Sequence, residues 1–166
     1  RGSTPFGRAI FFIWSCFFMY EFMRLAIKEG KKAYKKGEVP IGAIVVKEGE
    51  VIATAYNLKE TKKNPTAHAE ILAIQKAAKK LGTWRLEDCD LYVTIEPCVM
   101  CAGAILQSRM KGLIFGAREP KFGGVESILN ILDNPKFNHK VEVIEGILEE
   151  ECSQLIKDFF KDLRNK

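Results

Sequence analysis

The sequence predicts an α/β fold, a sandwich built around a mixed sheet. Two observations carry this. Short β-rich runs alternate along the chain with longer stretches in which apolar residues recur at three-to-four spacing. The 166 residues are 47% hydrophobic and 28% charged, the balance of an ordinary globular chain. That length suits one domain and buries a core without disulfide staples. Collagen-like, coiled-coil-only and wholly disordered classes are excluded, and no apolar run reaches the roughly 20 residues of a membrane-spanning helix.

Residues 1–18 stand apart. There is no Met at position 1, and the run Ala9–Phe18 is denser in aromatics than anything later. Arg8 before an apolar stretch suits a signal peptide, but no small-x-small cleavage site follows. The preferred reading makes Met19 the natural start, residues 1–18 a non-native or upstream segment, and residues 19–166 a single domain.

From there each element has its own signal. Phe22, Met23, Ala26, Ile27, Ala33 and Tyr34 give a helix over 20–36, which Gly37 and Pro40 end. Ile41–Lys47 and Val51–Tyr56 read as strands joined by a Glu48-Gly49-Glu50 turn. Asn57–Pro65 is polar and loop-like. A second helix is expected over Thr66–Leu81, capped by Gly82, then a strand over Leu91–Ile95 and a third helix over Pro97–Ser108. Leu113–Phe115 suits a short strand, Arg118–Gly124 a loop, Ser127–Leu132 a short helix, Val141–Ile144 a strand and Leu148–Arg164 a final amphipathic helix. No internal repeat or low-complexity linker interrupts them.

Lys and Arg number 26 against 21 Asp and Glu, a formal net charge of +5 that permits a polyanionic partner without requiring one. Five cysteines are an odd number without dense spacing, which fits a reduced, cytoplasmic setting.

Chemistry concentrates in His68-Ala69-Glu70 and Pro97-Cys98-Val99-Met100-Cys101. Zinc takes imidazole and thiolate ligands tetrahedrally. Cys98 and Cys101, three apart on a helix, present both sulfurs on one face, and a helix N-terminus favours thiolates. Pro97 suits the first helical turn. His68, Cys98 and Cys101 make three ligands, leaving a fourth position for water, which is the catalytic pattern. Zinc lowers the pKa of that water toward about 7. Glu70 need not ligate and can move its proton. Neither word is specific alone, but together, each opening a helix, they form the pattern of zinc-dependent nucleobase deaminases. A closed structural site would want a fourth ligand. Cys89 lies at the far end of a strand rising roughly 3.3 Å per residue, out of reach of the metal, and Cys152 reads as a small core residue.

Pro65–Glu70 and Glu96–Ala104 resemble the two active-site motifs of the bacterial tRNA-specific adenosine deaminases. Gly37–Ala43, Phe115–Arg118 with Lys121 and Gly123, Asn138-His139, and the tail from Glu145 through Phe159-Phe160 resemble the same family, so the likeness runs from about Tyr20 to Lys166. It implies a three-layer α/β/α sandwich with a five-stranded mixed sheet, cytidine deaminase-like, and a homodimer. It implies hydrolytic deamination of adenosine to inosine at the wobble position of a tRNA anticodon, with one Zn2+ per subunit carrying water or hydroxide, Glu70 shuttling the proton and the Cys98 backbone N–H helping to hold the water. The substrate-binding residues it implies are Asn57, Ala69, Arg118, Glu119, Lys121, Asn138, Phe159 and Phe160. By composition alone Asn57 is a turn residue. Glu119 stands where the family often has Asp, and Ile95 replaces the usual Leu.

An anticodon loop presents splayed bases, and a basic surface attracts it. Lys59, Lys62, Lys63, Lys157, Lys161 and Arg164 join Arg118 and Lys121 as candidates, while Lys28–Lys36 reads as a solvated helix face. Adjacent Phe159 and Phe160 cannot share a helix face, so one is expected inside. His139 has either an RNA-side or a turn role. Two competing functions remain at this stage: deamination of free cytosine, guanine or a nucleoside, and a non-catalytic zinc-stabilised RNA-binding module.

Overall fold

A computed structural model describes the backbone from Pro5 to Asn165 and the side chains from Ser15 to Asn165. A long helix α1 (Pro5–Lys35) leads into strands β1 (Gly42–Lys47) and β2 (Glu50–Tyr56). A single turn α2 (Lys59–Lys62), helix α3 (Ala69–Leu81), strand β3 (Cys89–Ile95) and helix α4 (Val99–Gln107) follow. Strands β4 (Gly112–Ala117) and β5 (Glu142–Glu145) and helix α5 (Glu149–Arg164) complete the fold.

The five strands form one sheet in the order β2-β1-β3-β4-β5. β1 is antiparallel to β2 and β3, whereas β3, β4 and β5 are parallel. The central strands are almost continuously apolar because both their faces are covered. The edge strands β2 and β5 keep exposed positions. Ala43, Val45, Leu91, Val93, Leu113 and Phe115 pack with Ala69, Ala73 and Ala77 of α3 and Ala102 and Ile105 of α4. Ile44, Val46, Tyr92 and Ile114 pack on the opposite face with Met23, Ala26 and Ile27 of α1 and Cys152 of α5. The result is the expected three-layer α/β/α sandwich. Each fully buried Ile, Leu or Phe contributes on the order of 1.5–3 kcal/mol. Gly42 lets α1 lie directly on β1, for a Cβ there would fall 2.0 Å from the Ala26 carbonyl oxygen.

Strand direction fixes where a site can form. The C-terminal ends of β3 and β4, the start of β1 and the end of β2 all meet at one end of the sheet. The Glu48-Gly49 turn, Cys89 and the Arg109–Lys111 segment lie at the other. No helix among the described residues is long and apolar enough to cross a membrane.

Several boundaries differ from the expectations. The first helix begins at Pro5 rather than near residue 20, so the aromatic-rich start continues α1; residues 1–4 lie outside the described residues. A turn of helix, α2, occupies part of the expected loop. α3 begins at Ala69 rather than Thr66, because Asn64 Oδ1 accepts both the Thr66 N–H and hydroxyl and holds a turn there. α4 begins at Val99, which leaves Pro97 outside the helix and makes Cys98 its N-cap. The short helix expected over Ser127–Leu132 is replaced by irregular chain between a turn at Ser127 and another at Leu132. The Ser127 amide points to the Glu96 carboxylate, and the Ile128 amide reaches back to the Gly123 carbonyl.

Candidate active site

Both motifs place their first ligand at a junction between extended chain and helix. His68 is the N-cap of α3 (φ −74°, ψ 152°) and Cys98 the N-cap of α4 (φ −70°, ψ 173°), and neither side chain caps its own helix. Both are therefore free to turn toward a common point at the positive ends of two helices. His68 Nδ1 lies 3.7 Å from Cys98 Sγ and 3.6 Å from Cys101 Sγ. The three ligand atoms lie within 4.8 Å of one another, and among the described residues no other group of His, Cys, Asp and Glu does so. Cys101 is fully buried in the first turn of α4, whereas His68 and Cys98 are half-buried. Cys98 and Cys101 thus pair as N-cap and helix residue, rather than as two residues within a helix.

The donor set fits a metal. A tetrahedral ion with bonds of about 2.05 Å to nitrogen and about 2.3 Å to sulfur spaces those atoms about 3.6 Å apart, which the two nitrogen–sulfur distances match. Three protein ligands leave one position open. The electrostatics agree. The Cys101 thiol, which donates a hydrogen bond to Cys98 Sγ, works against burial to draw Cys98 down to about 4, and His68 adds to it. Cys101 is pushed up in turn, because it donates to Cys98 and is buried. His68 is raised, chiefly through its bond with Cys98. These are protons that a bound cation displaces.

Glu70 occupies the first turn of α3 and is 3% exposed. Its Oε2 is buried without a hydrogen-bond partner among the described residues. Burial pushes its carboxyl up to about 7, while the Cys98 charge adds and the His68 charge opposes. A buried, unpartnered carboxylate oxygen beside a ligand cluster costs free energy unless something polar binds there. A nearby cation would draw its pKa back down.

Asn57 follows β2 and is buried, donating through Nδ2 to Glu38 Oε2 at 3.4 Å. The next residue, Leu58, donates to the Ala67 carbonyl, which ties Asn57 to the approach to His68. Ala69 is fully buried in the core. Arg118, at the end of β4, forms a two-pronged pair with Glu145 at 2.9 and 2.7 Å. Arg118, Glu119, Lys121 and Phe160 line a groove of about 710 Å³ together with Ile95 and Ile156. Phe159 is buried edge-on against Tyr34, whereas Phe160 is exposed, so the pair divides as expected. Asn138 lies elsewhere. It accepts from Arg109, and His139 Nε2 contacts the Met110 carbonyl, at the end of the sheet opposite Cys98. Cys89 is buried at that same end, and Cys152 is buried against Gly116.

Two carboxylates escaped the sequence reading. Glu38 is fully buried and accepts from the amides of Glu60 and Thr61 as well as from Asn57. Glu96, 2% exposed, accepts from the loop after β4. Each lies within a stretch that resembles the family, Glu38 in Gly37–Ala43 and Glu96 at the head of Glu96–Ala104, and that placement was the available signal.

Residues 19–164 match the family model of the MafB19-like deaminases. The chain is 54% identical over 145 residues to a tRNA-specific adenosine deaminase of Bacillus subtilis (strain 168), covering 87% of this chain and 90% of that one. It is 54% identical over 144 residues to the tRNA-specific adenosine deaminase of Aquifex aeolicus (strain VF5), covering 87% and 95%. Among solved structures it is similar to one from a study of A-to-I editing by tRNA:A34 deaminases at the wobble position of transfer RNA. The TM-score is 0.79 and the identity 44%, over 81% of this chain and 98% of that one. It is also similar, at a TM-score of 0.75 and 26% identity over 84% and 83%, to a guanine deaminase from Nitrosomonas europaea. The likeness spans the ligand cluster, the loop after β4 and most of α5 at once, and on that ground this chain belongs to the tRNA-specific adenosine deaminases, within the MafB19-like deaminase family.

Proposed function

We propose that this protein hydrolyses adenosine to inosine at the wobble position of a tRNA anticodon, releasing ammonia. The observation that carries this reading is the His68–Cys98–Cys101 cluster with the unpartnered Glu70 Oε2 beside it. His68 Nδ1 and the two sulfurs would hold one zinc ion per subunit, which when bound supplies Lewis acidity toward an attacking water. Glu70 takes one proton from the attacking water and delivers it to N1 of the purine ring, then carries the second, from the newly added hydroxyl, to the amine, which departs as ammonia. Its buried, unpartnered Oε2 beside the cluster suits Glu70 to hold the attacking water and to pass its protons on. Asn57, held by Glu38, contacts the base. The flipped-out base is unstacked at a cost of a few kcal/mol, least in a loop that is already single-stranded.

The groove between the loop after β4 and α5 receives the flanking nucleotides. Arg118, Glu119, Lys121 and Phe160 line it, and Phe159 braces Phe160 from beneath. Lys157 on the same wall adds positive charge. A cytoplasmic setting, where tRNA is found, suits this reading. The protein acts as a homodimer; Val99, Ile128, Leu129 and Phe137, all about half exposed, offer apolar surface for a partner. Asn138, at the opposite end of the sheet from Cys98, acts on RNA only from a second subunit. A monomer in sedimentation equilibrium of the zinc-loaded protein would refute the pairing.

The decisive assay presents zinc-loaded protein with an anticodon stem-loop bearing wobble adenosine, and in parallel with free adenosine, cytosine and guanine. Inosine formed in the stem-loop alone is the expected result. Ammonia from free guanine, with none from the stem-loop, would overturn the RNA substrate and favour the chemistry of the guanine deaminase that the fold also resembles.

A further inference from the structure

We propose that Glu96 is a positioning residue that sets the distance between the metal-ligand turn and the RNA-facing loop after β4; the inference rests on the tRNA reading above. Glu96 lies between β3 and α4, two residues before Cys98, and carries no role in the reaction itself. Its Oε2 accepts the Glu119 amide at 3.0 Å and the Ser127 hydroxyl. Its Oε1 accepts the amides of Val125, Glu126 and Ser127 at 3.2, 2.7 and 2.9 Å. One carboxylate therefore gathers both ends of the segment from Glu119 to Ser127.

The segment is laid directly on the ligand turn. Gly123 forms an isolated antiparallel bridge with Cys98, and the Gly124 amide donates to the Pro97 carbonyl at 2.9 Å. The approach is close enough to require both glycines. A Cβ at Gly123 would fall 2.5 Å from Glu96 Oε1, and one at Gly124 would fall 2.8 Å from the Val99 backbone nitrogen. Between these anchors the loop projects Lys121 and Phe122, the latter 70% exposed. A segment whose amides converge on a carboxylate cannot slide as a free loop, because each amide leaving Glu96 exposes a buried charge. Cys98 and the Lys121–Phe122 edge thus share one mount, and the chain need not order this edge when RNA binds.

The test uses zinc-loaded protein. Glu96→Gln keeps shape but turns an amide NH2 toward donors. The KM for the anticodon stem-loop is expected to rise roughly 10-fold while kcat changes by less than about threefold. Amide exchange at residues 119 and 125–127 is expected to accelerate, with zinc content unchanged. Ser127→Ala removes one donor only, and should raise KM in the same direction by about twofold to threefold. A merely structural role would lower the melting temperature and yield without moving the KM of the folded fraction. An unchanged KM with amides still protected in Glu96→Gln would overturn the proposal, as would a collapse of kcat at constant KM. Should Glu96→Gln fail to fold, Ser127→Ala decides by the same two readouts. If the unaltered protein does not deaminate the stem-loop, the substrate reading fails, and the amide exchange of Glu96→Gln still decides whether Glu96 tethers the loop.

Discussion

Replacing Glu38 by Gln tests whether a buried carboxylate organises the base-contacting side of the site. Glu38 is fully buried, accepts the Thr61 amide at 2.6 Å and the Glu60 amide at 3.2 Å, and receives Asn57 Nδ2. Burial alone would raise its pKa, but the Thr61 backbone and side-chain donors, the Glu60 amide and the Lys36 charge outweigh it and hold the carboxyl below its ordinary value. Gln keeps one acceptor oxygen and loses the charge. Loss of about one hydrogen bond to a charged acceptor costs roughly 1.5–3 kcal/mol. The pH dependence follows from the sign of the shift. With the folded pKa below the unfolded value of about 4.3, the unfolded chain binds more protons in that window, so stability rises with pH there. The carboxylate's contribution is complete above the unfolded pKa and is lost as pH falls through the folded one. The assay is urea unfolding of both zinc-loaded proteins at pH 7 and again near pH 3. Loss of metal in acid affects both, so it cancels in their difference. The gap of roughly 1.5–3 kcal/mol at pH 7 should narrow as acid protonates the carboxylate. A gap that stays constant across that range would refute the reasoning.

Three further substitutions probe the site itself. Glu70→Gln should lower kcat on the stem-loop by about 10²- to 10⁴-fold while zinc content, read by mass spectrometry under native conditions, stays at one per chain; near-normal turnover would remove Glu70 from the proton path. Cys98→Ala and Cys101→Ala should each abolish stoichiometric zinc and, because metal binding supports the folded state, lower the melting temperature of the protein as purified; full zinc occupancy in either would refute the ligand assignment.

The ligand cluster was legible because its spacing is local. His68, Glu70, Cys98 and Cys101 each sit within a turn of a helix start, and helix-start signals are short-range. The opposed directions of Phe159 and Phe160 were legible for the same reason, since neighbouring residues on a helix point apart. What failed were positions decided by distant partners. Ser127–Leu132 carries a helical pattern, but Glu96, thirty-one residues before Ser127, takes the Ser127 amide. Pro97 fits a first helical turn, yet the chain stays extended through Cys98 so that its sulfur reaches His68. Glu38 and Glu96 were given no role, because nothing nearby in the sequence announces the amides that converge on them. The pairing of Arg118 with Glu145 was likewise out of reach, because it depends on β4 and β5 lying side by side.

The polarity of the sheet has a practical consequence for attaching things to this protein. The hairpin joining β1 and β2 turns through Glu48 (φ 50°) and Gly49 (φ 76°), both exposed, beside the Cys89 end of β3. The whole length of β1 and β3 separates it from the ligand turn. A peptide tag, fluorophore or fused domain inserted there would be carried at the far end of a rigid lever, clear of the RNA groove. The same cargo on the C-terminal helix, whose one side holds the core and whose other side lines the groove, would disturb both.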